Sequence, residues 1–221
     1  MKNVIDPIWE KIHSSQEWGK YPSEPVIRFV ARNFYNTDRN KVKILDYGCG
    51  QGAHTWYLAN EGFDTYAFDG SQSAVAKTKD RLDNSSLNAT LSVMDAVSID
   101  YTDNFFDAVI DSFCICSNRI SDISIMYKNV YRILKNGGRL LTLCFGEELD
   151  GYKTGKEIEK GTYTDINEGA LANRGICHFF TKTEIENILA YVGFKDIQIE
   201  WCKYTDRGHL VHQYICSAIK E

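Results

Sequence analysis

The chain has 221 residues, with 25 lysines and arginines against 30 aspartates and glutamates, a formal net charge of -5. That length suits one α/β domain with an elaboration, and the acidic balance without long basic runs argues against general nucleic-acid binding, which needs a phosphate-neutralising surface. No apolar segment approaches the ~20 residues that span a bilayer, and Met1–Asp6 lacks the apolar core of a signal peptide, so no membrane partner is expected and the cytoplasm is the expected location.

Seven cysteines, an odd number scattered through the chain, do not read as a disulfide framework and are expected to be reduced. The first forty residues differ from the rest. Pro7, Pro22 and Pro25 punctuate an aromatic stretch holding Trp9, Trp18 and Tyr21, and Val26, Ile27, Phe29, Val30 and Phe34 follow with helical spacing. Pro25 suits a helix start, where its missing N–H costs nothing. Residues 1–40 therefore read as an N-terminal helical cap, two short helices and a loop lying over the ligand edge of the domain that follows.

From residue 41 the apolar pattern alternates between strand and helix periods. Strands are expected at 42–47, 64–68, 89–93, 105–111 and 138–144, and helices at 53–60, 72–83 and 122–134. Such alternation predicts a mostly parallel sheet covered by helices on both faces, joined by right-handed crossovers. Ligands bind such sheets beyond the carboxyl ends of the strands, where Asp46, Asp69, Asp95 and Asp111 are expected to line one rim. Residues 145–180 break the rhythm with Gly, Thr, Lys and Glu around Tyr152, Tyr163 and His178, and a loop of that length reads as a functional lid or as disordered. Thr181-Lys182-Thr183-Glu184 resembles a capping box opening a helix through Tyr191. A strand from Gly193-Phe194 to Trp201 and another from Leu210 to Ile219 form a terminal hairpin, one strand of which must run antiparallel to the sheet.

The run Leu45-Asp46-Tyr47-Gly48-Cys49-Gly50-Gln51-Gly52 joins the first strand to its helix. Its glycines permit positive φ and bring main chain within contact of a ligand, beside the positive end of a helix. Gly48, Gly50 and Ala53, with Asp69 beyond them, also satisfy the G-x-G-x-x-G/A dinucleotide fingerprint. The turn alone leaves the ligand open.

Asp46 ahead of the glycines completes D-x-G-x-G-x-G, which resembles the first motif of class I S-adenosylmethionine-dependent methyltransferases. Tyr66-Ala67-Phe68-Asp69, Ser92-Val93-Met94-Asp95-Ala96, Phe105–Asp111 and Ile133–Leu140 follow in that family's order, so the resemblance covers residues 41–219. It implies a Rossmann-like, doubly wound, mostly parallel seven-stranded sheet with an antiparallel terminal hairpin, spanning 41–221 with the lid inserted at 145–180. S-adenosylmethionine is the implied cofactor. The resemblance assigns its ribose to Asp69 and its adenine to Asp95, Ala96 and Met94. Gly48, Gly50 and Gly52 are expected to bring main chain against its methionine and ribose, and Asp46 to help hold its amino-acid end. Asp111, Ser112 and Phe113 are expected at the methionine tail or the acceptor. Arg28 and Tyr21 are candidates to close over the methionine carboxylate from the cap, the alternative for Arg28 being a solvated helix face.

The implied activity is methylation, on oxygen or nitrogen, of a small molecule such as a sugar or nucleotide-linked metabolite. Asp111-Ser112-Phe113-Cys114 stands where amide and adenine N-methyltransferases carry Asn/Asp-Pro-Pro-Tyr, and Cys114 and Cys116 lack the proline of cytosine-C5 enzymes. A hydroxyl acceptor would gain from a general base; His178 behind the lid is the first candidate, with Tyr163, Tyr21 and His54 beside it. His209 and His212 point to opposite faces of a strand and Cys177-His178 has no partner pair, so no metal is expected. The rival readings are a non-catalytic S-adenosylmethionine-binding protein and an NAD(P)-dependent oxidoreductase. A monomer or homodimer is expected.

Overall fold

The computed structural model describes residues 6–221, and residues 1–5 of the expected cap lie outside the described residues. Ten strands follow the chain as β1 (Lys43–Tyr47), β2 (Asp64–Asp69), β3 (Thr90–Val93), β4 (Phe106–Ser112), β5 (Leu134–Phe145), β6 (Lys156–Glu159), β7 (Thr162–Thr164), β8 (Cys177–His178), β9 (Lys195–Asp206) and β10 (His209–Ile219). Six helices accompany them: α1 (Pro7–Ser15), α2 (Glu24–Phe34), α3 (Ala53–Asn60), α4 (Gln72–Asp83), α5 (Ile120–Ile133) and α6 (Lys182–Val192).

Seven strands form one sheet in the order β3-β2-β1-β4-β5-β10-β9. β1 to β5 pair in parallel, and β10 runs antiparallel to both β5 and β9. The chain order reverses between β1 and β4, and crevices form at such a switch point beyond the strand ends.

The two-residue period of the strands sorts their side chains into two cores. Ile44, Ala108, Ile110, Leu141 and Leu143 pack with Val26, Phe29, Val30 and Phe34 of α2 and Leu58 of α3. On the other face Leu45, Tyr47, Val109 and Leu140 pack with Met126, Tyr127 and Val130 of α5 and Ile185 and Leu189 of α6. Each buried aliphatic or aromatic side chain contributes ~1.5–3 kcal/mol, so these stripes hold helices whose own propensity is modest. α2 therefore covers the sheet, and only α1 with the loop 16–23 reaches the ligand edge where the whole cap was expected.

Two other stretches differ from expectation. The terminal strands are longer than their apolar cores, because hairpin pairing extends them through polar residues to Asp206 and His209. The lid contains a small antiparallel sheet, β6-β7-β8, where a loop was expected. Its strands are two to four residues long, too short to show a period in sequence.

Candidate active site

A cleft of about 700 Å³ opens at the carboxyl ends of β1, β2 and β4, roofed by α1, the loop after it and the lid. Gly48, Gly50, Asp69, Asp95, Ala96 and Ser112 line it, bringing together three of the motifs that sequence alone kept apart. Gly48 has φ +68°, and a Cβ there would stand 2.1 Å from Cys114 Sγ, so the turn is pressed against the segment leaving β4. Gly52 does not line the cleft. It takes φ +76° ahead of α3, and a Cβ there would lie 2.5 Å from Thr78 Cγ2, so its role is close packing of the turn on α4.

Asp69 is the best-prepared acceptor in the cleft. Gly50 N–H donates to its Oδ2 at 2.8 Å and Ser71 N–H to its Oδ1 at 2.8 Å. Burial raises its proton affinity, and those two N–H groups oppose the rise. Ser71 itself caps α4, accepting from Ala74 N–H at 3.1 Å. Asp95 accepts from Val97 N–H at 2.9 Å, and the Ala96 carbonyl accepts from the Tyr47 hydroxyl, which fixes the turn after β3 against β1. Met94 packs into the core beside these residues and does not line the cleft; Phe68 and Gly70 stand there instead.

Two of the four rim carboxylates lie behind the cleft. Asp46 shares the strand face of Ile44, is 1 % exposed, and accepts from Thr55 Oγ1 of α3 at 2.6 Å. Asp111 shares the face of Val109, is fully buried, and accepts from Cys114 N–H and Ile115 N–H, each at 3.0 Å, and from Thr142 Oγ1 at 2.5 Å. It shapes the turn leaving β4 and does not reach a ligand. Burial drives its carboxyl up to about 7 against those three hydrogen bonds.

The base candidates also separate. His178 is fully buried in the lid, its Nδ1 2.8 Å from Thr162 Oγ1 and its Nε2 3.2 Å from Glu184 Oε2. Glu184, expected to complete a capping box, gives its carboxylate to His178, while Thr181 Oγ1 accepts from Glu184 N–H at 3.1 Å. Tyr163 packs against Tyr152 and Phe179, and burial pushes its hydroxyl up to about 12. Neither side chain lines the cleft, and both serve the lid's own packing. Arg28 lies on the α2 face away from the cleft, 3.6 Å from Glu24 and 3.5 Å from Glu200. Tyr21 stands at the mouth, 76 % exposed.

His54 does line the cleft. Its Nε2 accepts from Ser23 N–H at 3.2 Å, its Nδ1 lies 4.0 Å from Asp46 Oδ1, and burial lowers its proton affinity. Sequence reasoning passed over Gln51, which fastens the roof: its Oε1 accepts from Trp18 N–H at 2.9 Å and its Nε2 donates to the Gln16 carbonyl at 2.8 Å. It also missed Glu10, which accepts from the hydroxyls of Ser71 and Ser73 and ties α1 to the start of α4. Gln51 was readable as a polar residue between two glycines of the ligand turn. Glu10 carried no signal, because its partners are 61 and 63 residues away.

Residues 44–138 match the family described as Methyltransferase domain. An S-adenosylmethionine-dependent methyltransferase from Methanosarcina mazei superposes with a TM-score of 0.68 at 25% identity, over 80% of this chain and 92% of that one. Over residues 44–138 the chain is thus similar to S-adenosylmethionine-dependent methyltransferases, and it shares their Rossmann-like fold. Among curated relatives, phosphoethanolamine N-methyltransferase 2 of Caenorhabditis elegans is 29% identical over 173 residues, 76% of this chain and 37% of that protein. Demethylmenaquinone methyltransferase of Corynebacterium glutamicum is 35% identical over 103 residues, 47% of this chain and 41% of the relative. The chain spans about a third to two fifths of the length of these curated relatives.

Proposed function

We propose that this protein is a methyltransferase that transfers a methyl group from S-adenosylmethionine to a small molecule held in the same cleft. The observation that carries the reading is Asp69 at the end of β2, held by two N–H groups with lone pairs left for a ribose diol, between the glycine turn and Asp95-Ala96. The cleft fits the cofactor's separate parts. Gly48 and Gly50 leave main chain bare, Asp69 and Asp95 offer carboxylate acceptors, and the Phe68 ring offers an apolar surface. When bound, S-adenosylmethionine supplies a methyl group activated for in-line displacement by its sulfonium. The protein's part is then chiefly to hold the reacting atoms in line at ~3 Å, an effect worth many orders of magnitude.

A nitrogen acceptor fits this cleft better than a hydroxyl. His178 and Tyr163 are turned into the lid, and the His54 Nε2 lone pair is taken by Ser23. An amine reacts through its own lone pair and needs no base aimed at it. Burial pushes the Cys114 thiol well up, which keeps it a neutral wall and not a nucleophile. The curated relatives' names include N-methyltransferases, which agrees with this choice. Lid residues Ala170, Leu171 and Arg174 extend the cleft beyond the cofactor motifs, which favours an enzyme over a cofactor-binding protein without turnover. The antiparallel β10 between β5 and β9 weighs against the oxidoreductase reading, since the dinucleotide fold continues its sheet in parallel. Seven free cysteines accord with a reducing cytoplasm, and among the described residues no helix is long and apolar enough to cross a membrane.

Calorimetric titration with S-adenosylmethionine, S-adenosylhomocysteine, NAD and NADP tests the reading. Micromolar binding of the two sulfur nucleosides alone is expected, and binding of a dinucleotide instead would refute it.

A further inference from the structure

We propose that Arg174 anchors an anionic group, a phosphate or a carboxylate, on the methyl acceptor. The inference rests on the methyltransferase reading above and narrows its substrate class. Arg174 belongs to the lid, outside residues 44–138 that carry the cofactor motifs, and it lines the cleft. Among the described residues it is the only lysine or arginine that does so.

No carboxylate among the described residues lies within 4.0 Å of its guanidinium. The neighbouring acids are engaged elsewhere: Asp6 accepts from Ile8 N–H at 3.0 Å and from Ile176 N–H at 3.2 Å, and Glu17 pairs with Lys77 at 2.8 Å. Asp69 and Asp95 belong to the cofactor half of the cleft. With no carboxylate in contact among the described residues, the Arg174 N–H groups are available to a ligand.

Its geometry suits an oxyanion. The guanidinium carbon stands over the Trp18 ring, 5.2 Å from its centroid, a cation–π distance. A guanidinium so placed still has N–H donors for a bidentate contact with phosphate or carboxylate. Both members of the pair are held. Trp18 N–H donates to Gln51, and the Arg174 segment is fixed by Arg174 N–H to the Leu171 carbonyl at 3.1 Å and by the Asp6 bond to Ile176. Gly175, at φ +77°, lets the Asp6 carboxylate approach within 2.4 Å of where a Cβ would be. The cation is thus set before any ligand arrives.

The test uses the full chain saturated with S-adenosylhomocysteine and titrated with inorganic phosphate or with acetate at constant ionic strength, followed by calorimetry. One of the two anions is expected to bind in the millimolar range, and which one does so names the acceptor's anionic group. Arg174→Gln should weaken that binding at least tenfold and Arg174→Lys by less, since an ammonium keeps the charge but not the fork, and both variants should hold S-adenosylhomocysteine within about twofold of the parent. No anion binding, or equal binding by Arg174→Gln, would overturn the proposal while leaving the cofactor reading intact. If Arg174→Gln weakens S-adenosylhomocysteine tenfold but leaves 5′-methylthioadenosine unchanged, the arginine serves the cofactor's own carboxylate and the proposal is again overturned. Failure of the parent chain to bind S-adenosylhomocysteine would remove the functional reading and this inference together.

Discussion

Asp111 places a pH-dependent cost in the centre of the sheet, and Asp111→Asn should remove it. In the folded chain its carboxyl titrates at about 7 where an ordinary one titrates at 3.8, burial being the main cause. Between those values the folded state holds a proton that the unfolded state has released, so stability falls as pH rises across that window and is level above it. At ~1.4 kcal/mol per pH unit, about three units amount to a loss of ~4 kcal/mol, large beside a typical total of 5–15 kcal/mol. Asparagine copies the protonated acid. Its Oδ1 can still accept from Cys114 and Ile115, and its amide can donate to Thr142 Oγ1, which in turn lies 3.0 Å from the Tyr127 hydroxyl. Urea unfolding of parent and variant, followed by tryptophan fluorescence from pH 5 to pH 8, should show an advantage for the variant of ~1.6 kcal/mol already at pH 5, growing to ~4 kcal/mol near pH 7 and level from there to pH 8. A difference that stays constant across that range would refute the assignment. Affinity for S-adenosylhomocysteine should not change, because Asp111 lies behind the cleft.

Four further outcomes are expected. Asp69→Ala should weaken S-adenosylhomocysteine binding by about a hundredfold or more in calorimetry, two hydrogen bonds to a charged acceptor being worth ~1.5–3 kcal/mol each, with circular dichroism unchanged. His178→Ala should lower the thermal midpoint, since it leaves Thr162 without a buried partner, yet shift cofactor affinity by less than twofold; a large loss of affinity would return His178 to the active site. Gly52→Ala should cost at least ~2 kcal/mol in denaturant unfolding, from its left-handed backbone and the contact with Thr78, and a neutral result would contradict the packing described. Gln51→Ala should free the segment around Trp18, read as faster protease cleavage within residues 16–23 and weaker cofactor binding, whereas unchanged cleavage would show that Gln51 does not hold the roof.

The periodic elements and the ligand turn were legible in the chain because their determinants are local. The helices at 53–60 and 72–83 coincide with α3 and α4, where an apolar period, a glycine turn and the Ser71 cap act within one or two turns of chain. The succession of strand ends likewise announced a sheet whose acidic and glycine residues meet at one rim. Which carboxylates face the ligand was decided by how far each lies from its strand's carboxyl end. Asp46 and Asp111 stand one residue inside β1 and β4, on opposite faces and each against a core, whereas Asp69 ends β2 and Asp95 lies beyond β3. Tertiary packing alone turned His178 towards Glu184, set Arg28 against Glu200, and brought Glu10, Gln51 and Arg174 around one cleft. These contacts join residues far apart in the chain, and their partners are chosen by how α1 and the lid settle on the sheet, a choice that no local pattern encodes.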